Sequence, residues 1–128
     1  MMKAGKKRIL VVDDQASDTQ LVKRFLEGTN WYIVREENDA EAALFAAKEF
    51  KPHLILLDVL MPGMDGRVLA ACFQGTPQLR RVPIVFLTSV VTKAEVEMCG
   101  GRIGGFPFLA KPLVLVEVAE CVKLHLER

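Results

Sequence analysis

Cysteine is scarce in this sequence and odd in number: Cys72, Cys99 and Cys121, each beside apolar residues. That excludes a disulfide framework and a cysteine metal site, and points to reduced thiols. Neither sign of charge is in excess. Seventeen Lys and Arg face sixteen Asp and Glu, for a net charge of +1, so no overall field favours a nucleic-acid backbone. Long apolar runs are also missing. The longest uncharged stretch, Val68 to Leu79, falls far short of the ~20 residues of a membrane span. Lys3, Lys6, Lys7 and Arg8 crowd the start, yet no apolar region with a cleavage site follows. Residues 1–7 therefore read as a basic extension and not as a signal peptide. Internal repeats and low-complexity tracts are absent. What remains is 51% hydrophobic and 26% charged over 128 residues, enough for one cored domain without staples. A single cytoplasmic domain over residues 1–128 is the expectation.

Strands and helices alternate along the chain. Ile9 to Val12 is a continuous apolar run, as in a strand buried on both faces. Leu21, Val22, Phe25 and Leu26 form one stripe of a helix over Ser17 to Glu27, closed by Gly28. The same reasoning predicts strands over Trp31–Val34, His53–Leu57, Pro83–Leu87 and Phe106–Ala110. It predicts helices beginning at Asn38–Asp39 and over Arg67–Phe73, Thr92–Cys99 and Val114–Leu126, with a loop over Met61–Gly66. Five alternations with short connections argue for a doubly wound, mostly parallel α/β sheet.

In such sheets ligands bind beyond the carboxyl ends of the strands. Those ends carry Asp13 and Asp14, then Asp58, Thr88 and Lys111. Three converging carboxylates repel unless a cation joins them, and an all-oxygen cluster suits a hard divalent ion, Mg²⁺ first. A hydroxyl and an ammonium beside it suit a transferring phosphoryl group, with Asp58 as its nucleophile. Singly, each residue has a plainer reading as a capping Asp or Thr or a surface Lys. Their joint placement at the ends of four strands separates the two readings.

Taken in order, ILVVDD, LILLDVLMPGMDG, PIVFLTS and FLAKP resemble the receiver domain of two-component response regulators, of the chemotaxis-regulator kind. The resemblance runs from Lys7 to about Leu126. It implies a flavodoxin-like fold: five parallel strands in the order 2-1-3-4-5, with five helices on the two faces. Pro107 inside strand five agrees, because proline is tolerated at sheet edges. It implies Asp58 as the phospho-acceptor. Mg²⁺ would be held by Asp14, by Asp13 largely through water, by Asp58 and by the backbone carbonyl of Leu60. Lys111, Thr88 and Ser89 would meet the phosphoryl group, Phe108 would be the switch aromatic, and Lys111–Pro112 would be a cis peptide. The implied donor is a sensor histidine kinase or a histidine phosphotransfer protein. Self-association through helix 4, strand 5 and helix 5 is a further expectation, with no direct nucleic-acid binding and no membrane. Such a domain catalyses its own phosphotransfer and slow autodephosphorylation and is not a turnover enzyme.

Several residues depart from the family pattern or stay open. Glu97 to Gly105 lacks the usual Ala-Gly-Ala, and its glycines should shorten or loosen helix four. Phe108 also reads as a plain core aromatic. His53 and His125 read as structural, the latter as a partner for a helix C-terminus. Leu60 and Val90 are apolar where water must approach an aspartyl phosphate, which predicts slow hydrolysis. The last helix carries Leu115, Val118, Ala119 and Val122 on a buried stripe. Val114, Val116, Cys121 and Leu124 lie elsewhere around it, more apolar surface than one-sided burial needs. An aspartate-nucleophile phosphatase needs a second acid two places after the nucleophile, and Leu60 stands there. A binding module on the same fold that is never phosphorylated is the remaining alternative.

Overall fold

The computed structural model of the protein describes residues 5–89, 102–103 and 105–126. Its main sheet has six strands in the order β2-β1-β3-β6-β8-β7. These are β1 (Lys7–Val12), β2 (Tyr32–Glu37), β3 (Leu54–Asp58), β6 (Ile84–Thr88), β7 (Arg102–Ile103) and β8 (Phe106–Ala110). The first five in that order are parallel, so the flavodoxin-like arrangement expected from the sequence is the one observed. Two further strands, β4 (Leu60–Met61) and β5 (Met64–Asp65), pair as a small hairpin.

The apolar runs become strands buried on both faces because their side chains alternate between two cores. Ile9, Val11, Leu54, Leu56, Val85 and Leu87 pack with Val22 and Leu26 of α1 (Ala16–Glu27) and Val118 and Val122 of α4 (Leu115–Leu126). Leu10, Val12, Ile55, Leu57 and Phe86 pack on the other face against α2 (Ala43–Phe50) and α3 (Gly66–Gln74). There the small residues Ala43, Ala46, Ala47 and Ala70 let the helices approach closely. No helix among the described residues is long and apolar enough to cross a membrane.

The structure corrects four details. β2 runs on to Glu37 through Arg35 and Glu36, because it pairs with β1 as far as Val12 and its edge position tolerates charge. Trp31 lies outside it and is 68% exposed. The segment read as a loop forms the β4–β5 hairpin, cornered at Pro62–Gly63 with Gly63 at φ +74°. Strand five is not the outermost strand, since β7 pairs antiparallel against Phe106 and Pro107. Pro107 still costs no parallel rung, because pairing of β8 with β6 starts at Phe108. The second helix opens with a 3₁₀ turn over Ala40–Ala42, with Asp39 accepting from the Glu41 N–H at 3.0 Å. Four α-helices lie among the described residues. The helix expected over Thr92–Cys99, most of the glycine-rich stretch and Val90 lie outside them.

Both histidines bond to backbone groups. His53 Nδ1 accepts from the Arg8 N–H at 2.9 Å while its own N–H donates to the Arg8 carbonyl, stitching β3 to β1. His125 Nδ1 lies 2.8 Å from the Cys121 carbonyl near the end of α4. On α4, Val118 and Val122 are buried and Leu115 and Ala119 half-buried. Val114, Val116 and Leu124 are 48%, 62% and 72% exposed.

Candidate functional site

β1 is flanked by β2 on one side and β3 on the other, so the strand order reverses there and a crevice opens at the carboxyl ends. Asp13 sits at its floor, wholly buried. Its N–H donates to the Glu37 carbonyl, its carbonyl accepts from Asn38 Nδ2 at 2.8 Å, and Oδ1 accepts from the Gln15 N–H at 3.0 Å. The Gln15 N–H thus orients the carboxylate while the backbone on either side is pinned. Oδ2 faces the Lys111 ammonium at 2.5 Å, a charge-assisted contact.

Asp58 ends β3 and is also buried. Its Oδ1 accepts from the Leu60 N–H at 3.3 Å. The backbone behind it is braced by α3: the Gly66 N–H donates to the Val59 carbonyl at 2.7 Å. A Cβ on Gly66 would stand 2.2 Å from the Asp58 carbonyl oxygen, so only glycine permits this approach. Burial, and next the negative charge of Asp13, push the Asp58 carboxyl up to about 7, against the pull of Lys111 and the Leu60 N–H.

Lys111 follows β8 directly, its N–H bonded to the Thr88 carbonyl at 2.8 Å, and its peptide with Pro112 is cis. The ammonium lies 3.2 Å from Asp18 and 3.8 Å from Asp58, besides Asp13. Burial works against this charge, but the bond to Asp13 and the fields of Asp13 and Asp58 hold its pKa above the ordinary lysine value.

Oxygens of Asp13, Asp14 and Asp58 all lie within 4.8 Å of one another. This set fits a hard divalent cation. Its donors are all carboxylates, those of Asp13 and Asp58 are buried, and Asp13 itself opposes the ionisation of Asp58. The crevice holds about 400 Å³ and its rim includes Asp14, Ser89, Leu60 and Pro112. A larger groove of about 1040 Å³ between Lys6, Lys7, Trp31 and Lys123 has no acid among the described residues of its lining.

Asp13, Asp14, Asp58 and Lys111 thus come together as the sequence pattern implied. Thr88 is buried one residue beyond Leu87, the register partner of Asp58, and Ser89 is exposed beside it. Leu60 is 57% exposed on the rim. Phe108 is 8% exposed, within the core on the α2–α3 side. Two residues escaped the sequence reading. Asp18 lies on the first turn of α1, and the packing of α1 against the sheet brings it to Lys111 at the strand ends. Gly66 looked like one more loop breaker, and its contact with Asp58 depends on tertiary packing.

The sequence pattern of the response regulator receiver domain matches residues 9–123. The chain is 36% identical over 106 residues to the response regulator PleD of Caulobacter vibrioides, covering 83% of this chain and 23% of that protein. It is 27% identical over 121 residues to the polar-differentiation response regulator DivK of Brucella anthropi, covering 94% and 96%. The chemotaxis protein CheY4 of Vibrio cholerae superposes with a TM-score of 0.81 at 26% identity, over 95% of this chain and 100% of that one. Among the curated relatives, the chain spans 23% of PleD and 49% of the YvrH regulator of Bacillus subtilis.

A carboxyl raised toward 7 by folding binds its proton more tightly folded than unfolded, so stability falls as pH rises from about 4 through 7. With divalent ions chelated, Asp58→Asn should flatten this slope and stabilise the fold at pH 8 by about 1–2 kcal/mol. Thermal melts at pH 5 and pH 8 check it. A variant less stable than the parent at pH 8 contradicts it.

Proposed function

The chain belongs to the response regulator receiver domain family, and on that premise we propose that Asp58 accepts a phosphoryl group from a phosphohistidine donor. Phosphorylation-dependent signalling is that family's general function, and its members generally bind Mg²⁺ at an acidic pocket. The observation that carries the reading is the convergence of one buried carboxylate, an acid pair and a buried ammonium at a single crevice.

The donor is a sensor histidine kinase or a histidine phosphotransfer protein. An Asp58 oxygen forms a bond to phosphorus as the bond from phosphorus to the donor's imidazole nitrogen breaks, and the imidazole leaves with the electron pair. Asp13, Asp14, Asp58 and the Leu60 carbonyl are the groups that would hold Mg²⁺. Bound there, the ion supplies charge neutralisation for the carboxylates and the phosphoryl oxygens. Lys111 turns to one phosphoryl oxygen, and the hydroxyls of Thr88 and Ser89 donate to others. Thr88 and Phe108 then bias two conformations of the surface formed by β6, β8 and α4. The chemical drive comes from the donor's phosphoramidate bond, so the domain is not a turnover enzyme. The reading includes a cytoplasmic location, in keeping with the unpaired thiols of Cys72 and Cys121. Val116 and Leu124 on α4, with Val114 just before it, support self-association there.

Acetyl phosphate with Mg²⁺ should add one phosphoryl mass to the protein, and Asp58→Asn should abolish the gain. Leu60→Asn should shorten the decay of the adduct severalfold by orienting water. Full labelling of Asp58→Asn, or no labelling of the parent, overturns the acceptor assignment; the latter favours a binding module that is never phosphorylated. An unchanged decay in Leu60→Asn removes the account of lifetime. Sedimentation at high concentration should show a dimer that Leu124→Glu disrupts, and a strict monomer in both phosphorylation states contradicts it.

A further inference from the structure

Lys111 is the cation that the transferred phosphoryl group must share, and its ammonium has a competitor that the Asp13–Asp14–Asp58 set does not include. Asp18 Oδ2 stands 3.2 Å from it, closer than Asp58 at 3.8 Å. The Asp18 side chain is 26% exposed, at the crevice wall between α1 and the strand ends. Among the described residues the ion pair with Lys111 is its one side-chain partner. By way of that ammonium, the Asp18 and Asp58 oxygens lie within one Debye length (~8 Å) at physiological salt.

We infer that Asp18 is a positioning residue that sets which phosphodonors can load the site: it retains Lys111 in the resting state and its charge opposes small, highly anionic donors. Two consequences follow from the geometry. A phosphoryl group must draw the ammonium away from Asp18, and it then meets a half-buried carboxylate whose counter-charge has just left. Both penalties grow with the donor's negative charge. A protein donor, whose phosphohistidine arrives with neighbouring groups that can face Asp18, is penalised less. The inference rests on the phosphorylation reading above.

Two small donors separate the effects. Acetyl phosphate is a dianion at neutral pH, and the bond between phosphorus and its bridging carboxyl oxygen breaks to release acetate with the electron pair. Phosphoramidate is a zwitterion with one net negative charge, and its phosphorus–nitrogen bond breaks to release ammonia. In both, an ionised Asp58 oxygen makes the new bond to phosphorus, giving the same aspartyl phosphate.

The experiment measures initial rates of mass gain at saturating Mg²⁺ for the parent, Asp18→Asn and Asp18→Glu with each donor, at low salt and at 1 M salt. Asp18→Asn should raise the acetyl phosphate rate about tenfold and the phosphoramidate rate about threefold or less at low salt. The gap should narrow at 1 M salt, where the Debye length is ~3 Å. Asp18→Glu should restore parental selectivity. A purely structural role at the first turn of α1 would move melting temperature while shifting both donors alike; that result, or an unchanged ratio, overturns the inference. If the parent forms no adduct with either donor, the phosphorylation reading itself fails and the inference falls with it.

Discussion

One ammonium against several carboxylates is the constraint on which the rest of this structure depends. Lys111 faces Asp13, Asp18 and Asp58 in a crevice where Asp13 and Asp58 are almost fully removed from water. Burying unbalanced negative charge is costly, and the fold is organised to hold it. Asn38 and the Gln15 N–H fix Asp13, Gly66 braces the backbone at Asp58, and the Thr88 carbonyl anchors Lys111. The two apolar cores, one on each face of the sheet, make the strand ends rigid enough for this. The elevated Asp58 carboxyl reflects its burial first and the charge of Asp13 second. Sites kept for function are commonly strained in this way and lower the stability of the fold that carries them.

The architecture was legible in the sequence wherever burial decides structure. The uninterrupted apolar runs of β1, β3 and β6 suited strands covered on both faces, and they form such strands. The charged extension of β2 was not legible, because Arg35–Glu37 gain their strand conformation from pairing with β1 and not from their own preferences. β7 escaped for the same reason: two residues in a glycine-rich stretch carry no periodicity, and their pairing with Phe106 and Pro107 is visible only in three dimensions.

For the site, the sequence showed which residues stand at strand ends, and parallel pairing in register made those ends adjacent. Asp18 belongs to a helix, where an acid in the first turn has an ordinary explanation as a dipole partner. Its approach to Lys111 depends on how α1 packs against the sheet, which no spacing rule encodes. Phe108 was open between core aromatic and switch, and in this conformation it is a core aromatic. Gly66, like Asp18, was hidden in the sequence, because its role rests on the distance between α3 and the β3 backbone.

The central claim is that a divalent cation completes the charge balance at Asp58. Calorimetric titration with Mg²⁺ in buffers of different ionisation enthalpy, from pH 6 to pH 8.5, tests it most directly. With the Asp58 carboxyl near 7, binding at neutral pH should expel about half a proton per ion, affinity should tighten as pH rises, and Asp58→Asn should abolish the proton release. Mg²⁺ binding with no proton release and a Kd unchanged between pH 6 and pH 8 would contradict the account.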